Sequence, residues 1–568
     1  MNLTLLALGF LVALALAYRL YGGWVARQFA LDDARVTPAN RVNDGVDFVP
    51  TRPFYLFGQH FSAIAAAGPI AGPIIACQAF GWLPCLLWIG LGVVLIGAVH
   101  DFASLAASVR HGATSIAEIT REHLGGRAGR AMMGFIWIAL VYVIVAFADI
   151  TAGTFVAGSE ELRGASVAFN PGGAVAAASV LYLLLSVVLG LVEHYLKPPL
   201  WLTTLLFVPA AFALSWVGTL VSNALVFDHK TWGILILVYC CVASVVPVWA
   251  LLQPRGYLGG FILYAALALG VLGVLFGGYE IRQPAFKTWN DPTNVAGMLF
   301  PFLFVSIACG ACSGFHGLVC SGTTSKQIDR ERHIKPVGYG AMLAEGFVAL
   351  IALVTIMIVA QGDIPRGTQA GTIYGNGIGQ FLTLLVGAEH RNFAITFGAM
   401  AFSTFVFDTL DVCTRLGRYI VQELFGWRGR AGALAGTLLT IAFPVVLISF
   451  ARKDMYREFW TLFGASNQLL AALTLLTITV WLYQARQRIA FTLVPMLFVL
   501  VITLWALVTL AASNFAATTG FDVKMINAVA SAALVGLALY LTVVALFKLR
   551  GDRQTGSLTA AHTATSLE

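Results

Sequence analysis

Residues 59–74 read Gln-His-Phe-Ser-Ala-Ile-Ala-Ala-Ala-Gly-Pro-Ile-Ala-Gly-Pro-Ile, within an apolar stretch at 54–79 that is long enough to cross a membrane. Two Gly-Pro pairs stand near its middle. Proline lacks a backbone donor and clashes with the preceding turn, and glycine loosens a helix further. Since freed carbonyls are costly in lipid, we predict a helix that is interrupted at 68–73, with the break buried in protein or lining a cavity.

A second apolar stretch, 295–314, shows the same feature in the other half of the chain. Residues 306–317 read Ser-Ile-Ala-Cys-Gly-Ala-Cys-Ser-Gly-Phe-His-Gly, with glycine and serine where a helix should be apolar. This predicts a second interruption, at 310–317. Two interrupted helices of opposite direction, one in each half, are typical of an inverted-repeat transporter.

The composition places the whole chain in a membrane. Of its 568 residues 59% are hydrophobic and 11% are charged, whereas a soluble domain carries about 25% charged residues. Lysine and arginine concentrate in the connections on one side, which predicts an outside N-terminus and a cytoplasmic C-terminus. The net charge of +7 is thereby explained by topology, so we expect the lipid bilayer as partner and no nucleic acid.

We therefore expect an all-α integral membrane protein with about fifteen transmembrane helices and a leucine-transporter-like core of five plus five inverted-repeat helices. Residues 1–550 form one domain, with core repeats at 54–220 and 295–483 and a polar, disordered cytoplasmic tail at 551–568. An apolar run at 377–388 is expected to be re-entrant or interfacial. The predicted spans are 2–18, 54–79, 82–109, 131–157, 174–192, 200–220, 231–250, 257–276, 295–314, 338–360, 393–413, 431–450, 459–483, 490–512 and 525–547. The core leaves out spans 2–18, 231–276 and 490–547.

Ionisable residues at membrane depth are candidates for coupling transport to an ion, because they are expensive there unless they serve a function. For Asp408 and Asp149, two interpretations are equally open: a role in binding a proton or cation, and a structural hydrogen bond. For Asp101 and Asp411 the structural interpretation is favoured, Asp411 as the ion-pair partner of Arg415 four residues on. Glu345 also lies within a span. The histidines His60, His100 and His316 could carry protons, although a hydrogen-bonded packing role is commoner.

An anionic solute needs hydrogen-bond donors, and the ends of the interrupted helices could supply unpaired N–H groups and positive dipole ends. The candidate substrate-binding residues are Gln59, His60, Gly68, Gly72, Ser306, Gly310, Ser313, Gly314 and His316.

The cysteine pattern does not favour a metal site. Cys309-x-x-Cys312 followed by His316 and Cys320 could suggest a metal, but the favoured interpretation is small residues that pack helices. We expect no metal site and no cofactor, with a proton, or alternatively Na⁺, as the coupling ion.

Five stretches together resemble the carbon starvation A family of bacterial inner-membrane permeases, over most of the chain. They are Gly-Pro-Ile-Ala-Gly-Pro-Ile at 68–74, Gly-Ala-Val-His-Asp-Phe at 97–102, Ser-Gly-Phe-His at 313–316, Ser-Gly-Thr-Thr-Ser-Lys-Gln at 321–327, and Asp-Thr-Leu-Asp-Val-Cys-Thr-Arg-Leu-Gly-Arg-Tyr at 408–419. Cys312 departs from the aliphatic or small residue expected there.

The resemblance implies uptake of peptides or pyruvate-like carboxylates during nutrient limitation, with protons. It also implies kinship with the amino-acid–polyamine–organocation transporters, with substrate between the two broken helices. In that fold a cation site lies between the first broken helix and the eighth core helix, here 393–413, with Ser403, Thr404 and Asp408.

Four alternatives to this symporter differ in how well they fit the sequence. An amino-acid permease or a sodium-driven carrier would share the fold. A membrane enzyme is disfavoured because the chain has no His-Glu-x-x-His, Gly-x-Ser-x-Gly, phosphate-loop or haem-attachment motif. A sensor would need a soluble output domain, and no stretch of the sequence reads as one.

Overall fold

The computed structural model describes residues 2–45, 47–156, 169–290, 297–365, 367–450, 456–520 and 522–565. In these ranges twelve helices are long and apolar enough to cross a membrane, or thirteen if one bent pair counts as a single span. This confirms an all-α integral membrane protein. The number fifteen and the five-plus-five repeat stay predictions. The helix His229–Val245 has only 17 residues, and the predicted span at 295–314 is split into two short helices.

The described residues form 22 α-helices, and the first eleven of them lie between residues 3 and 220. They are α1 (Leu3–Arg19), α2 (Tyr21–Gln28), α3 (Pro38–Val42), α4 (Pro53–Ile64), α5 (Gly68–Phe80), α6 (Trp82–Gly92), α7 (Ala98–Arg110), α8 (Ile116–Leu124), α9 (Gly126–Val156), α10 (Pro171–Tyr195) and α11 (Leu200–Leu220). A π-helical segment, Val93–Gly97, joins α6 to α7.

Eleven more helices follow. They are α12 (His229–Val245), α13 (Leu252–Phe276), α14 (Leu299–Ser306), α15 (Gly314–Gly322), α16 (Ala341–Met357), α17 (Ala370–Val386), α18 (Arg391–Phe425), α19 (Gly429–Phe450), α20 (Tyr456–Gln484), α21 (Ala490–Ala517) and α22 (Val523–Thr565). The helix α22 continues through 551–565, where the sequence predicts a disordered tail. The run at 377–388 falls mainly in α17, which packs against α16 and α18.

The helices differ sharply in how much of their surface is covered by protein. In the most apolar part of the span that contains α20, 94% of the residues are buried in protein, compared with 83% for α16 and α18 and 17% for Leu3–Gln28 and α11. A helix that is apolar all round and buried belongs to the interior of a bundle. The core is therefore built around α9, α16, α18 and α20, with α1 and α11 outside it.

The first interruption occurs earlier than predicted. The axis bends by 45° between α4 and α5, and the break is at 65–67, not at 68–73. Gly68 and Pro69 instead open α5, and Pro73 lies inside it. Proline is tolerated in the first turn of a helix, because the N–H it lacks has no partner there anyway. The Gly-Pro pair thus marks the restart of the helix.

The second interruption is also displaced toward the N-terminus. The α14 helix ends at Ser306 and α15 begins at Gly314, so residues 307–313 form the break. The first turns of α5, directly after the first break, pack against the end of α14 and the second break: a β-carbon on Gly72 would lie 2.6 Å from the carbonyl oxygen of Ser306, and one on Gly68 would collide with Cys309. Both interrupted helices therefore meet in the middle of the bundle.

Candidate functional site

A cavity of about 840 Å³ lies beside both interrupted helices. Its wall includes Ala65 and Ala66 of the first break and Phe315 at the start of α15. The opposite wall comes from α13 and α18, with Arg255 and Asp408 among the lining residues. Of the predicted substrate-binding residues, Gln59 lines this cavity. The volume and the mainly apolar wall with a few polar groups are typical of a small-molecule site.

A buried cluster of one guanidinium and two carboxylates stands at the cavity wall. Arg255 Nη2 lies 2.5 Å from Asp408 Oδ1, and Arg255 Nη1 lies 2.7 Å from Asp411 Oδ2. The Arg255 side chain is 2% exposed and that of Asp411 is fully buried, while 26% of the Asp408 side chain is accessible. Asp408 is thus the member of the cluster that faces the cavity.

Two tyrosines hold this cluster in place. The Tyr239 hydroxyl donates to Asp411 Oδ2 at 2.7 Å, and the Tyr182 hydroxyl donates to the Arg255 carbonyl at 2.8 Å. In the described part of the chain a single cation contacts the two carboxylates directly. Since buried charges are stable only when paired, one carboxylate is left able to hold a proton or to meet another cation.

The predicted ion pair between Asp411 and Arg415 is wrong. Arg415 Nη2 donates instead to the carbonyl oxygens of Ala243 and Val246, both at 2.7 Å, at the end of α12. Asp411 faces Arg255, which the sequence analysis missed because it lay just outside the predicted span at 257–276. In the structure α13 starts at Leu252 and brings Arg255 into the membrane-spanning part.

The other residues of the implied cation site on α18 divide between two environments. The Ser403 hydroxyl lies 2.7 Å from that of Ser179. The Thr404 hydroxyl is buried with no hydrogen-bond partner in the described residues, and its methyl group lies near Gly259. Gly259 is also where a β-carbon would meet Asp408 Oδ2, so α13 and α18 touch closely at this level.

A second buried polar cluster is formed by side chains of α7, α15 and α16. Asp101 accepts from two histidines, with Oδ1 2.7 Å from His100 Nδ1 and Oδ2 2.9 Å from His316 Nδ1. His316 Nε2 is 3.2 Å from Glu345 Oε2. All four side chains are buried, so α7, α15 and α16 are joined by a continuous chain of ionisable groups.

His60 sits at the edge of this second cluster. Its Nδ1 lies 2.8 Å from the Thr324 hydroxyl, and its Nε2 lies 3.9 Å from Cys320 Sγ. Cys320 in turn donates to the carbonyl oxygen of Asp101. His60 and His316, both predicted to bind substrate, therefore join polar contacts between helices and do not line the cavity.

The second break is closed by side chains of α20. Asn467 Oδ1 accepts the backbone N–H of Phe315 at 2.9 Å, and its Nδ2 donates to the Ser313 hydroxyl at 3.0 Å. The carbonyl oxygens at the end of α14 accept the side-chain N–H groups of Trp88, Gln468 and Trp460. The N–H group of Phe315, expected to be free for a solute, is thus used within the protein. Asn467-Gln468 in an otherwise apolar span is the signal that could have found this.

The glycines predicted to bind substrate are points of close approach between helices. A β-carbon on Gly314 would collide with the backbone of Asn467, and one on Gly310 would lie 2.9 Å from Ala349. Gly68 and Gly72 face the second break, as described above. None of these four glycines is among the cavity lining.

Two further predicted groups lie elsewhere. Asp149 on α9 lies 3.5 Å from His229 Nε2, at the start of α12. The cysteines of the 309–320 run do not converge on one point: Cys309 accepts from Asn467 and Cys320 contacts His60.

Comparison with known proteins identifies relatives over most of this chain. Residues 1–367 and 364–506 match the family described as carbon starvation protein CstA. The chain is 33% identical to the peptide transporter CstA of Campylobacter jejuni, over 86% of this chain and 78% of that protein. It is 30% identical to the peptide transporter CstA of Bacillus subtilis, over 96% and 97%. It is also 30% identical to the pyruvate/proton symporter BtsT of Escherichia coli, over 86% and 79%.

Two solved structures illustrate a distant likeness. A manganese transporter from Eremococcus coleocola matches with a TM-score of 0.44 and 16% identity, over 88% of this chain and 95% of that one. MhsT in complex with L-phenylalanine matches with a TM-score of 0.44 and 12% identity, over 85% and 98%. The family assignment rests on the sequence matches: this chain belongs to the carbon starvation protein CstA family.

Proposed function

We propose that this chain is a secondary active transporter that takes up a small pyruvate-like carboxylate or a short peptide through the bacterial inner membrane, together with protons. Its relatives are named as transporters, one as a pyruvate/proton symporter and others as peptide transporters, and none of those names denotes an enzyme. The observation that carries the proposal is the cavity beside both helix breaks, with Asp408 and its partner Arg255 in the wall.

The direction of the cavity follows from the predicted topology. Its wall includes Phe54 near the start of α4, Leu252 at the start of α13 and Val412 in the second half of α18. All three lie toward the ends of their helices that the distribution of lysine and arginine assigns to the cytoplasm. The cavity is then open to the inside, which is the state that releases a solute taken up from outside.

The cluster at the wall offers a simple way to couple the solute to a proton. Arg255 Nη1 contacts Asp411, and Arg255 Nη2 contacts Asp408, which lines the cavity. A proton on Asp408 removes its negative charge and releases one edge of the guanidinium. The carboxylate of pyruvate, or of a peptide C-terminus, can then take the place of Asp408 in a paired, charge-assisted contact. Without the proton, Asp408 repels an anionic solute and occupies its partner.

The proposal is tested with purified protein in liposomes. We expect labelled pyruvate or a labelled dipeptide to accumulate when the outside is made acidic, with no need for Na⁺ and with loss of accumulation on adding a protonophore. Accumulation that follows a Na⁺ gradient and ignores the pH gradient would instead assign a sodium-driven carrier. If neither solute accumulates and a free amino acid is transported instead, the result would favour the amino-acid permease.

A further inference from the structure

Two histidines outside the transport site point their ring nitrogens at each other at the end of α7. His111 is the C-cap residue that directly follows α7, and His123 lies in the last turn of α8. Their Nε2 atoms are 2.9 Å apart, and the rings are nearly perpendicular, at 88°. His111 directly follows the span Trp82–Arg110, and His123 contacts Gln484, the last residue of the span Glu458–Gln484. Both histidines are partly exposed and the neighbouring Glu122 is exposed, so water reaches this end of the helices.

The other ring nitrogen of each histidine is held by an oxygen. His111 Nδ1 lies 2.7 Å from the carbonyl oxygen of Ala107, so it must carry a proton and donate. His123 Nδ1 lies 2.6 Å from Gln484 Oε1, which likewise accepts. With both Nδ1 atoms protonated, the two neutral rings present unprotonated Nε2 lone pairs to each other. Such a contact is repulsive unless something with positive charge bridges it.

This is the arrangement that metal-binding histidines have in proteins. An oxygen acceptor on Nδ1 fixes the tautomer and the ring orientation and leaves Nε2 free as a ligand. The Glu122 carboxylate supplies a third ligand atom, and all three atoms lie within 4.8 Å of one another. Two imidazoles and a carboxylate, with a fourth position left for water, form a recurrent zinc ligand set.

We propose that His111, Glu122 and His123 bind a divalent transition-metal ion of the Zn²⁺ type at the water-facing end of α7. The distance fits with a small adjustment: Zn–N bonds of ~2.0–2.1 Å at a tetrahedral angle place the two nitrogens about 3.3 Å apart, a few tenths of an ångström more than here. The proposal is independent of the transported solute and of the coupling ion.

The neighbouring contacts show what the ion would fix. Trp481 of α20 packs against His111 with ring centroids 5.0 Å apart, and Gln484 is the last residue of the same helix. The Thr120 hydroxyl of α8 lies 3.0 Å from that of Thr477 in α20. A bound ion would therefore fasten the short helix α8 to the ends of α7 and α20.

The test uses the full-length protein in detergent, with any affinity tag removed and metal stripped by chelation. Zn²⁺ alone is titrated calorimetrically, and Co²⁺ is added in a parallel sample to record its visible absorption. We expect saturable binding of one Zn²⁺ per chain and a Co²⁺ spectrum of nitrogen and oxygen ligation. His123→Gln should abolish both signals, whereas His194→Gln, which changes an exposed histidine stacked on Trp249, should leave them unchanged.

A change at Gln484 separates a metal site from an ordinary hydrogen bond between the rings. Gln484→Glu can only accept, so it should raise Zn²⁺ affinity, and Gln484→Leu should lower it by about 10-fold or more. If His123→Gln does not fold, Glu122→Gln at the exposed third ligand serves, with weaker binding expected. Absence of saturable Zn²⁺ binding to the unaltered protein, or equal binding in the unaltered and ligand-substituted proteins, overturns the proposal.

Discussion

Gly72 on α5 faces the carbonyl oxygen of Ser306 so closely that a β-carbon would lie 2.6 Å from it. Ser306 is the last residue of α14, so this approach brings the two interrupted helices together. The same Ser306 carbonyl accepts the indole N–H of Trp460 at 3.0 Å. The crossing of α5 and α14 is therefore a packed contact between backbones, and the cavity lies beside the interrupted helices.

Gly72→Ala should push α5 and the end of α14 apart. Overpacking of this kind destabilises by about 1–3 kcal/mol, and we expect transport to fall with it. Thermal unfolding in detergent and uptake in liposomes measure the two effects. Gly134→Ala in α9 is the control, since a β-carbon there meets nothing within 4 Å and should be neutral or stabilising. Equal stability and uptake in the Gly72 variant and the control would contradict the packing role.

Arg255→Met should leave Asp408 and Asp411 buried without the cation that contacts them. Removing one partner of a buried ion pair costs about 3–5 kcal/mol. Adding Asp411→Asn should restore part of the lost stability, because one of the uncompensated charges is gone.

The control for this pair of changes is Arg418→Met. Arg418 is also buried but donates to the carbonyl oxygen of Ser244. Its loss should not be rescued by Asp411→Asn. Thermal unfolding measures the stability of each variant. If Asp411→Asn rescues both arginine variants to the same extent, it stabilises the protein for another reason.

Asp408→Asn should uncouple transport from the proton gradient. Asparagine keeps the shape of the side chain but cannot exchange a proton, so solute exchange between the two sides should continue. We expect proton-driven accumulation to fall about tenfold or more, equivalent to ~1.4 kcal/mol of lost coupling. The measurement compares accumulation under a pH gradient with exchange at equal pH.

The comparison variant for Asp408 is Asp149→Asn. Asp149 is a buried carboxylate beside His229 and is not in the wall of the cavity. We expect accumulation in this variant to stay close to that of the unaltered protein. Loss of coupling in Asp149→Asn with normal coupling in Asp408→Asn would transfer the coupling role to Asp149.

Asn467→Ala should destabilise the start of α15. It removes the acceptor for the backbone N–H of Phe315, and a buried donor left without a partner costs about 1–3 kcal/mol. Asn376→Ala on α17 is the matched control: its amide donates within its own helix, so the change should stay within about 0.5 kcal/mol. Similar unfolding temperatures for Asn467→Ala and Asn376→Ala would contradict the capping role.

The sequence was sufficient to predict that two helices are interrupted, but it placed both breaks late. The Gly-Pro pair at 68–69 was taken as the break itself, although proline at the start of a helix is favourable and the chain opens just before it, at 65–67. The second break was displaced in the same direction, to 307–313. Local residue preferences identify an interruption, whereas its position depends on which carbonyls find partners in neighbouring helices.

The candidate site was predictable only in part. Asp408 and Asp411 were recognisable as costly charges in a span, and the structure places both on one cluster. Their partner was assigned to Arg415, four residues away on the same helix, and proved to be Arg255 on α13. An i, i+4 rule describes pairs on one helix, but a long side chain from another helix can reach the same carboxylate.

Composition and residue order were sufficient to predict that this chain spans a membrane, that its backbone is helical, and that two of its helices are interrupted near glycine-rich stretches. These follow from composition and from local backbone chemistry, which act without knowledge of distant residues. Three features appear only in the folded bundle: α5 packs against the end of α14, Asn467 closes the second break, and Arg255 joins the two aspartates at the cavity wall. Those contacts join residues about 150 or more positions apart, and only packing of the whole bundle brings such residues within hydrogen-bonding distance.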